Sequence, residues 1–235
     1  MSLIGVDFRK FEEMSVTENA VAMMWFNKYS GFVFKTPKFE IVVDPAMVGD
    51  EILALNPDVI FISHEHFDHF DKDIVRKLYK DRAVIIAPAH IISELRGVID
   101  EKFLRRVSAG DVVEIDGLKI IAQRADHPSP EPLTLLLQTE NDIIIYHAID
   151  SRTFNEMAEI GQKYKIDIAI LPIGIAPGTS PKEAVRAAKM LKPRIAIPHH
   201  AEKGFEKFEQ LVKKEKLDIE VKIIKIGEPY VYAKG

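Results

Sequence analysis

Ile60-Phe61-Ile62-Ser63-His64-Glu65-His66-Phe67-Asp68-His69 is the stretch on which the reading of this chain turns. An apolar run typical of a buried strand ends at Ser63. The next six residues hold three of the chain's eight histidines and an aspartate. Imidazole and carboxylate are ligands for borderline metals such as zinc, manganese and iron. Two histidines separated by one residue in an extended turn point the same way, because side chains repeat with a period of two. The one-residue step to Asp68 and His69 presents these two in different directions, which suits a second metal beside the first.

Composition narrows what surrounds this stretch. At 235 residues the chain has room for one large domain or at most two small ones. Hydrophobic content of 47% and charged content of 29% are those of an ordinary soluble globular protein. A net charge of -4 gives no footprint for tight, sequence-independent nucleic-acid binding. Cysteine is absent, which excludes disulfides and thiolate metal sites, so any metal must be held by histidine and carboxylate. Asp7, Arg9, Lys10, Glu12, Glu13 and Glu18 interrupt every early apolar run, and nowhere do about 18 apolar residues run together. A soluble cytoplasmic protein without membrane association is therefore expected. Abundant Lys and Glu without cysteine lean toward a thermophilic source.

Upstream of the quoted stretch, residues 20–26 and 31–34 are aromatic and β-branched runs. Asn27-Lys28-Tyr29-Ser30 between them predicts a hairpin turn. Residues 38–43 predict a third strand, ending at Asp44-Pro45. Downstream, Asp71 is placed to cap a helix running through residue 79, followed by a strand over 83–87 and a helix over 89–96. Residues 112–115, 118–122, 133–139 and 143–146 predict a meander, with Asp116-Gly117 and Asn141-Asp142 in its turns. The period then changes. A helix over 153–164 leads to a strand over 168–171, and Ser180-Pro181 opens a second helix over 181–191. A strand over 194–197, a helix over 205–214 and two final strands close the chain. Lys213, Lys214 and Lys216 read as a solvated helix face. Two blocks thus run from strands to helices without a linker, which predicts an α/β protein: two β-sheets packed together, helices outside, and one domain over 1–235.

Further ligand candidates stand just after strands: His127 in Ala125-Asp126-His127-Pro128, Asp150 in Ile149-Asp150-Ser151, and His199-His200 after Pro198. Each lies beyond the C-terminal end of an apolar strand, the rim where open sheets usually place ligands. With the six-residue loop they suffice for two coordination spheres.

His64-x-His66-x-Asp68-His69, preceded by an apolar strand and by Asp44-Pro45, resembles the metallo-β-lactamase superfamily. Leu171-Pro172-Ile173-Gly174, Ser180-Pro181-Lys182-Glu183-Ala184 and Pro198-His199-His200 resemble its ascorbate-6-phosphate lactonase-like branch of small metal-dependent hydrolases. The resemblance runs from about residue 20 to near the end. It implies a four-layer αββα sandwich of two mixed β-sheets. It also implies two divalent metal ions, zinc foremost, with manganese and iron(II) as alternatives. His64, His66 and His127 fall on the first ion, Asp68, His69 and His200 on the second, and Asp150 bridges both. Asp44 would orient a ligand histidine by hydrogen bond. His200 is preferred to His199 because the family's last ligand stands two residues after the proline, and adjacent extended residues point oppositely. The catalytic group is then Asp68, Asp150 and His200. Two departures stand out. The family's Gly-Asp-Thr-like turn is here Ile149-Asp150-Ser151, and its early Gly-His-Ala/Ser turn is replaced by Asn27-Lys28-Tyr29-Ser30, without a histidine. His90 and His147 receive no role: His90 reads as an ordinary helix-start residue and His147 as a neighbour of the site.

The chemistry so implied is hydrolysis, with a dimetal-bridging hydroxide attacking a lactone or ester carbonyl, or a phosphodiester phosphorus, in a small anionic substrate. No Gly-x-Ser-x-Gly elbow and no thiol nucleophile compete with it. Lys28, Arg124, Arg152 and Lys203 flank the ligand loops as candidate anion binders, though each also reads as a plain surface charge. A phosphodiesterase or nuclease, and a non-catalytic metal-binding module, remain as alternatives; homo-oligomerisation is left open. The substrate-binding residues are not assigned. Diiron oxygen or nitric-oxide reduction is disfavoured, since such members usually carry glutamate at the position of His66.

Overall fold

Val59, Ile60 and Phe61 are wholly buried, and the strand they form joins a sheet on both edges. The computed structural model describes residues 6–174 and 178–235. These divide into two compact units. The first comprises the described part of Met1–Asp111 together with Ser129–Glu131 and Ile224–Gly235; the second comprises Val112–Pro128 and the described part of Pro132–Ile223.

In the first unit β1 (Ala20–Trp25), β2 (Phe32–Lys35) and β3 (Glu40–Val43) form an antiparallel meander. The sheet continues in parallel through β4 (Val59–Phe61), β5 (Val84–Ala87) and β6 (Leu104–Arg106). The last strand of the chain, Tyr230–Ala233, pairs antiparallel with β1 at the other edge. Helices α1 (Phe8–Glu12), α2 (Lys72–Leu78) and α3 (Ala89–Leu95) bury Phe8, Phe11, Ile74, Val75, Leu78, Ile91 and Leu95. These share a core with Ala22, Met24, Val33, Val42, Ile60 and Ile85 of the strands. The alternate strand residues Val21, Met23, Phe32, Phe34, Ile41, Val43 and Phe61 are buried as well. Strands buried on both faces read as continuous apolar runs, which is why β1, β3 and β4 show no alternation in sequence. Asp71 caps α2, its Oδ1 accepting from the Asp73 and Ile74 N–H groups at 3.0 Å.

The second unit repeats that connectivity. β7 (Val112–Ile115), β8 (Leu118–Arg124), β9 (Leu133–Gln138) and β10 (Ile144–His147) are antiparallel neighbours. β11 (Ile168–Pro172), β12 (Ile195–His199) and β13 (Glu220–Val221) follow in parallel. Helices α4 (Met157–Lys163), α5 (Pro181–Leu191) and α6 (Phe205–Lys214) pack Met157, Ile160, Ala184, Ala188, Leu191, Phe208 and Val212 into a core with Leu136, Tyr146, Ala169, Leu171 and Ala196. Ser180 caps α5 through the Glu183 N–H at 3.2 Å, with Pro181 in the first turn. Gly161 lets α4 approach α5 closely: a Cβ there would lie 2.2 Å from the Met190 carbonyl oxygen.

Each sheet therefore runs from three antiparallel pairings to three parallel ones. Asp44, the 63–69 loop, Asp150 and His200 follow strands of the parallel half, whereas His127 follows the antiparallel β8. The helix expected over 153–164 is shorter than its apolar pattern. Thr153 donates its hydroxyl to the Glu183 carbonyl, residues 155–156 form a turn, and α4 begins at Met157 without a side-chain cap. The five-residue α1 and the three-residue β6, two of whose residues are exposed arginines, are too short to show a period in the sequence. The two closing strands go to different sheets. No helix among the described residues is long and apolar enough to cross a membrane.

Candidate metal centre

Parallel pairing of β3 with β4 sets Val43 opposite Phe61, so the residues after each strand emerge side by side. Asp44, at φ 49°, follows β3 and donates its N–H to the Phe61 carbonyl at 3.0 Å. Its carboxylate is wholly buried. Oδ1 accepts from the Ser63 N–H at 2.8 Å; Oδ2 accepts from the Ser63 hydroxyl and from His69 Nδ1, each at 2.7 Å. Burial pushes the Asp44 pKa up, and His69 and Ser63 pull against that rise. Taken as the carboxylate, Asp44 only accepts, and the single Ser63 proton then goes to it. The Ser63 oxygen, 2.9 Å from His64 Nδ1, must then accept from that ring. Both His64 and His69 are thereby held with the proton on Nδ1 and a lone pair on Nε2, the form that ligates a metal. One buried carboxylate orients two histidines.

The lone pairs so created meet other ligand atoms. His64 Nε2 lies 3.2 Å from His66 Nδ1, and His69 Nε2 lies 3.6 Å from Asp68 Oδ2. An imidazole lone pair and a carboxylate facing one another at that distance repel unless a cation is shared between them. Histidine nitrogen and carboxylate oxygen are donors that fit zinc, manganese or iron(II).

In the second unit the turn after β10 carries Asp150. Ile149 precedes it at φ 54°, a left-handed conformation that is costly for a β-branched residue. The strain is held by hydrogen bonds: His147 Nδ1 accepts the Ile149 N–H at 3.1 Å, and the Ser151 N–H reaches the Ala148 carbonyl at 2.9 Å. Ser151 Oγ accepts from the Asp126 N–H at 2.9 Å, and the Arg152 N–H donates to the Asp126 carbonyl at 3.0 Å, so the 150–152 and 125–128 segments are tied. The result is that Asp150 Oδ2 stands 4.0 Å from His127 Nε2 and Oδ1 stands 3.5 Å from His200 Nε2. Each oxygen faces a different histidine.

His199 and His200 part company at the end of β12. His200 adopts φ 54° and faces Asp150. His199 is wholly buried with its ring 4.9 Å from that of His147, edge-on. Burial first, then the neighbouring His147 and His200, hold the His199 pKa well below its usual value, so it packs as a neutral ring.

His90 is more than a helix-start residue. Its Nε2 lies 3.1 Å from Glu65 Oε2, which also accepts from the Ser129 hydroxyl at 2.6 Å. Glu131 Oε2 lies 3.9 Å from His90 Nδ1 and accepts the Ala89 N–H at 3.1 Å. Glu65 is pushed up by burial, yet the hydrogen bonds from Ser129 and its own backbone, with His90 and His66 nearby, hold it below the ordinary glutamate value. Neither this network nor the parts played by Ser63 and His147 is visible in the sequence. Glu65, His90 and Ser129 are distant in the chain, and no motif spacing joins them.

Comparison with known proteins agrees with this fold. A family model described as a β-lactamase superfamily domain matches residues 23–200. A metal-dependent hydrolase of Methanopyrus kandleri is 28% identical over 224 residues, spanning 86% of this chain and 96% of its own. The metallo hydrolase Igni18 of Ignicoccus hospitalis superposes with a TM-score of 0.80 at 24% identity, covering 92% of this chain and all of that one. The metallo-β-lactamase fold protein YhfI of Bacillus subtilis superposes with a TM-score of 0.72 at 16% identity, over 91% of this chain and the whole of the other. With its two mixed sheets, its helices and its histidine–aspartate loop, the chain belongs to the metallo-β-lactamase superfamily.

Proposed function

We propose that residues 1–235 act as one metal-dependent hydrolase that opens a lactone or cleaves an ester in a small anionic substrate. The observation that carries this reading is Asp150, whose two carboxylate oxygens each address a different ligand histidine, as a bridge between two ions requires. In this reading His64, His66 and His127 hold one ion, and Asp68, His69 and His200 hold the other. When bound, a pair of divalent ions supplies hydroxide near neutral pH and polarises the group under attack. The chain's own contribution is orientation. Asp44 and Ser63 would hold the lone pairs of His64 and His69 toward the ions, Asp150 would hold the pair together, and Asp68 with His200 would orient the second ion. Zinc suits the donors best, with manganese and iron(II) as the alternatives. Lactone or ester rather than phosphoester rests on the resemblance of Ser180 to Ala184 and Pro198 to His200 to the lactonase-like branch.

The test is an assay of metal-loaded protein against γ-lactones, bis(p-nitrophenyl) phosphate and RNA, with metal content measured on the same samples. Lactone turnover is expected, and Asp150→Ala should lose turnover and metal together. Turnover of the phosphodiester or RNA alone would move the reading to a phosphodiesterase. Full metal content with no turnover would leave a metal-binding module. Full dimetal loading in Asp150→Ala would remove the bridging role.

A further inference from the structure

His147 closes β10, standing opposite Leu135 of β9 and Ile170 of β11. Ala148 carries the ladder one residue further, its N–H reaching the Ile170 carbonyl at 2.9 Å. There the chain turns. The Ser151 N–H returns to the Ala148 carbonyl at 2.9 Å, which makes 148–151 a four-residue turn with Ile149 and Asp150 at its centre. Ile149 takes φ 54°. A positive φ at the first central position belongs to the turn types that glycine, asparagine and aspartate dominate, and a β-branched side chain there crowds its own backbone. The Ile149 side chain is nonetheless 1% exposed, so the turn joins a buried apolar group to a backbone that resists it.

Such a conformation persists only where its surroundings over-determine it. His147 does so here. Its Nδ1 accepts the Ile149 N–H at 3.1 Å, from two residues back. A ring nitrogen that accepts carries no proton, so the His147 proton sits on Nε2. The acceptor is itself held in place: the ring is wholly buried, and the His199 ring stands edge-on to it with centroids 4.9 Å apart. Without that acceptor the strained turn loses a buried hydrogen bond, whereas forms with negative φ at Ile149 lose nothing, and the balance moves toward them. Asp150 is carried by this backbone. Its Oδ2 lies 4.0 Å from His127 Nε2 and its Oδ1 3.5 Å from His200 Nε2, and a coordination site tolerates displacements of only about 0.5 Å.

We infer that His147 is a positioning residue: its Nδ1 pins the strained 148–151 turn and thereby aims the Asp150 carboxylate at His127 and His200. Ile149 creates the need for it, so Ile149→Gly makes it dispensable. The inference rests on the two-ion reading for its metal arm alone; its folding arm concerns the turn itself.

The experiment uses four variants of the whole chain. His147→Phe keeps a buried ring and removes the acceptor, His147→Asn keeps an acceptor one bond beyond Cγ, and Ile149→Gly is made alone and combined with His147→Phe. The folding arm is a double-mutant cycle by urea unfolding of chelator-treated protein. His147→Phe is expected to move the folded-to-unfolded ratio about tenfold further toward unfolding with Ile149 in place than with Ile149→Gly. Equal shifts in the two backgrounds would overturn the inference. Where His147→Phe fails to fold, a folded double variant supports it, and a double variant that stays unfolded while Ile149→Gly folds overturns it. The metal arm measures zinc affinity by competition with a fluorescent chelator. His147→Phe is expected to bind zinc about tenfold more weakly, His147→Asn within about threefold of wild type, and the double variant within about threefold of Ile149→Gly. A fall in His147→Asn equal to that in His147→Phe would overturn the role of the acceptor. Coupling in unfolding with zinc affinity unmoved by His147→Phe would overturn the aiming of Asp150. No zinc bound by the wild-type chain, with the coupling intact, would remove the metal-dependent reading and leave His147 holding the turn.

Discussion

Asp44 illustrates what a single side chain does in this site. Its three accepted hydrogen bonds leave the Ser63 oxygen no role but acceptor, and so set the tautomers of His64 and His69 together. At the same scale His199 and His200 differ by environment rather than by type: one packs neutral against His147, the other faces Asp150. His200→Ala is expected to reduce metal stoichiometry at unchanged thermal stability of the metal-free protein. His199→Ala should leave a cavity costing on the order of 2 kcal/mol of folding stability, with metal stoichiometry retained. Elemental analysis and urea unfolding of both variants decide the matter, and the opposite ranking would exchange their roles.

Among elements, α1 shows how a short helix can be anchored by charge. Glu12 at its end meets Glu40 of β3, Lys35 of β2 and Asn56. Lys35 Nζ lies 3.2 Å from Glu12 Oε2 and 4.0 Å from Glu40 Oε2; the Asn56 N–H donates to Glu40 Oε1 at 2.8 Å, and Asn56 Nδ2 to Glu12 Oε1 at 3.0 Å. Burial, then Glu12, pushes the Glu40 pKa from 4.5 up to about 8, while the hydrogen bond from Glu40 holds Glu12 down at about 2. The two carboxyls thus share one proton carried by Glu40. A raised folded-state pKa contributes stability that is complete below about 4.5 and is lost as pH rises through about 8. The Glu12 contribution runs the other way, present above 4.5 and lost as pH falls toward about 2. Glu40→Gln mimics the protonated member and keeps the acceptor for Asn56. Its melting temperature is therefore expected to change less than that of wild type between pH 5 and pH 9, measured by differential scanning fluorimetry. Parallel curves would show that Glu40 is ionised throughout.

For the whole molecule, two sheets share one connectivity, and each carries candidate histidine and aspartate groups on loops that follow its strands. Anything that binds the folded chain and not the unfolded one stabilises it by mass action, about 2.7 kcal/mol at a hundredfold excess over Kd. For a chain of this size that corresponds to roughly 5–10 °C in Tm. Chelation is expected to lower Tm by such an amount, and re-addition of zinc, manganese or iron(II) to restore it in order of affinity. A Tm indifferent to chelator and to all three ions would contradict a metal site of this composition.

The sequence by itself determined the candidate ligand loop, the strands around it and the caps of α2 and α5. Each of these depends on neighbours within a few residues: an alternation or run of apolar side chains, Asp71 beside Asp73, Ser180 before Pro181. It also supplied Asp150, His127 and His200 as candidates, one strand end at a time. Only the tertiary structure decided what those side chains face. Parallel register brings Asp44 to Ser63 across nineteen positions, a strained Ile149 turns Asp150 so that its two oxygens diverge, and His90 is drawn to Glu65 rather than to its own helix. Hydrogen bonds of that kind are settled by strand order and backbone twist, quantities to which residues far apart in the chain contribute jointly and which no local pattern encodes.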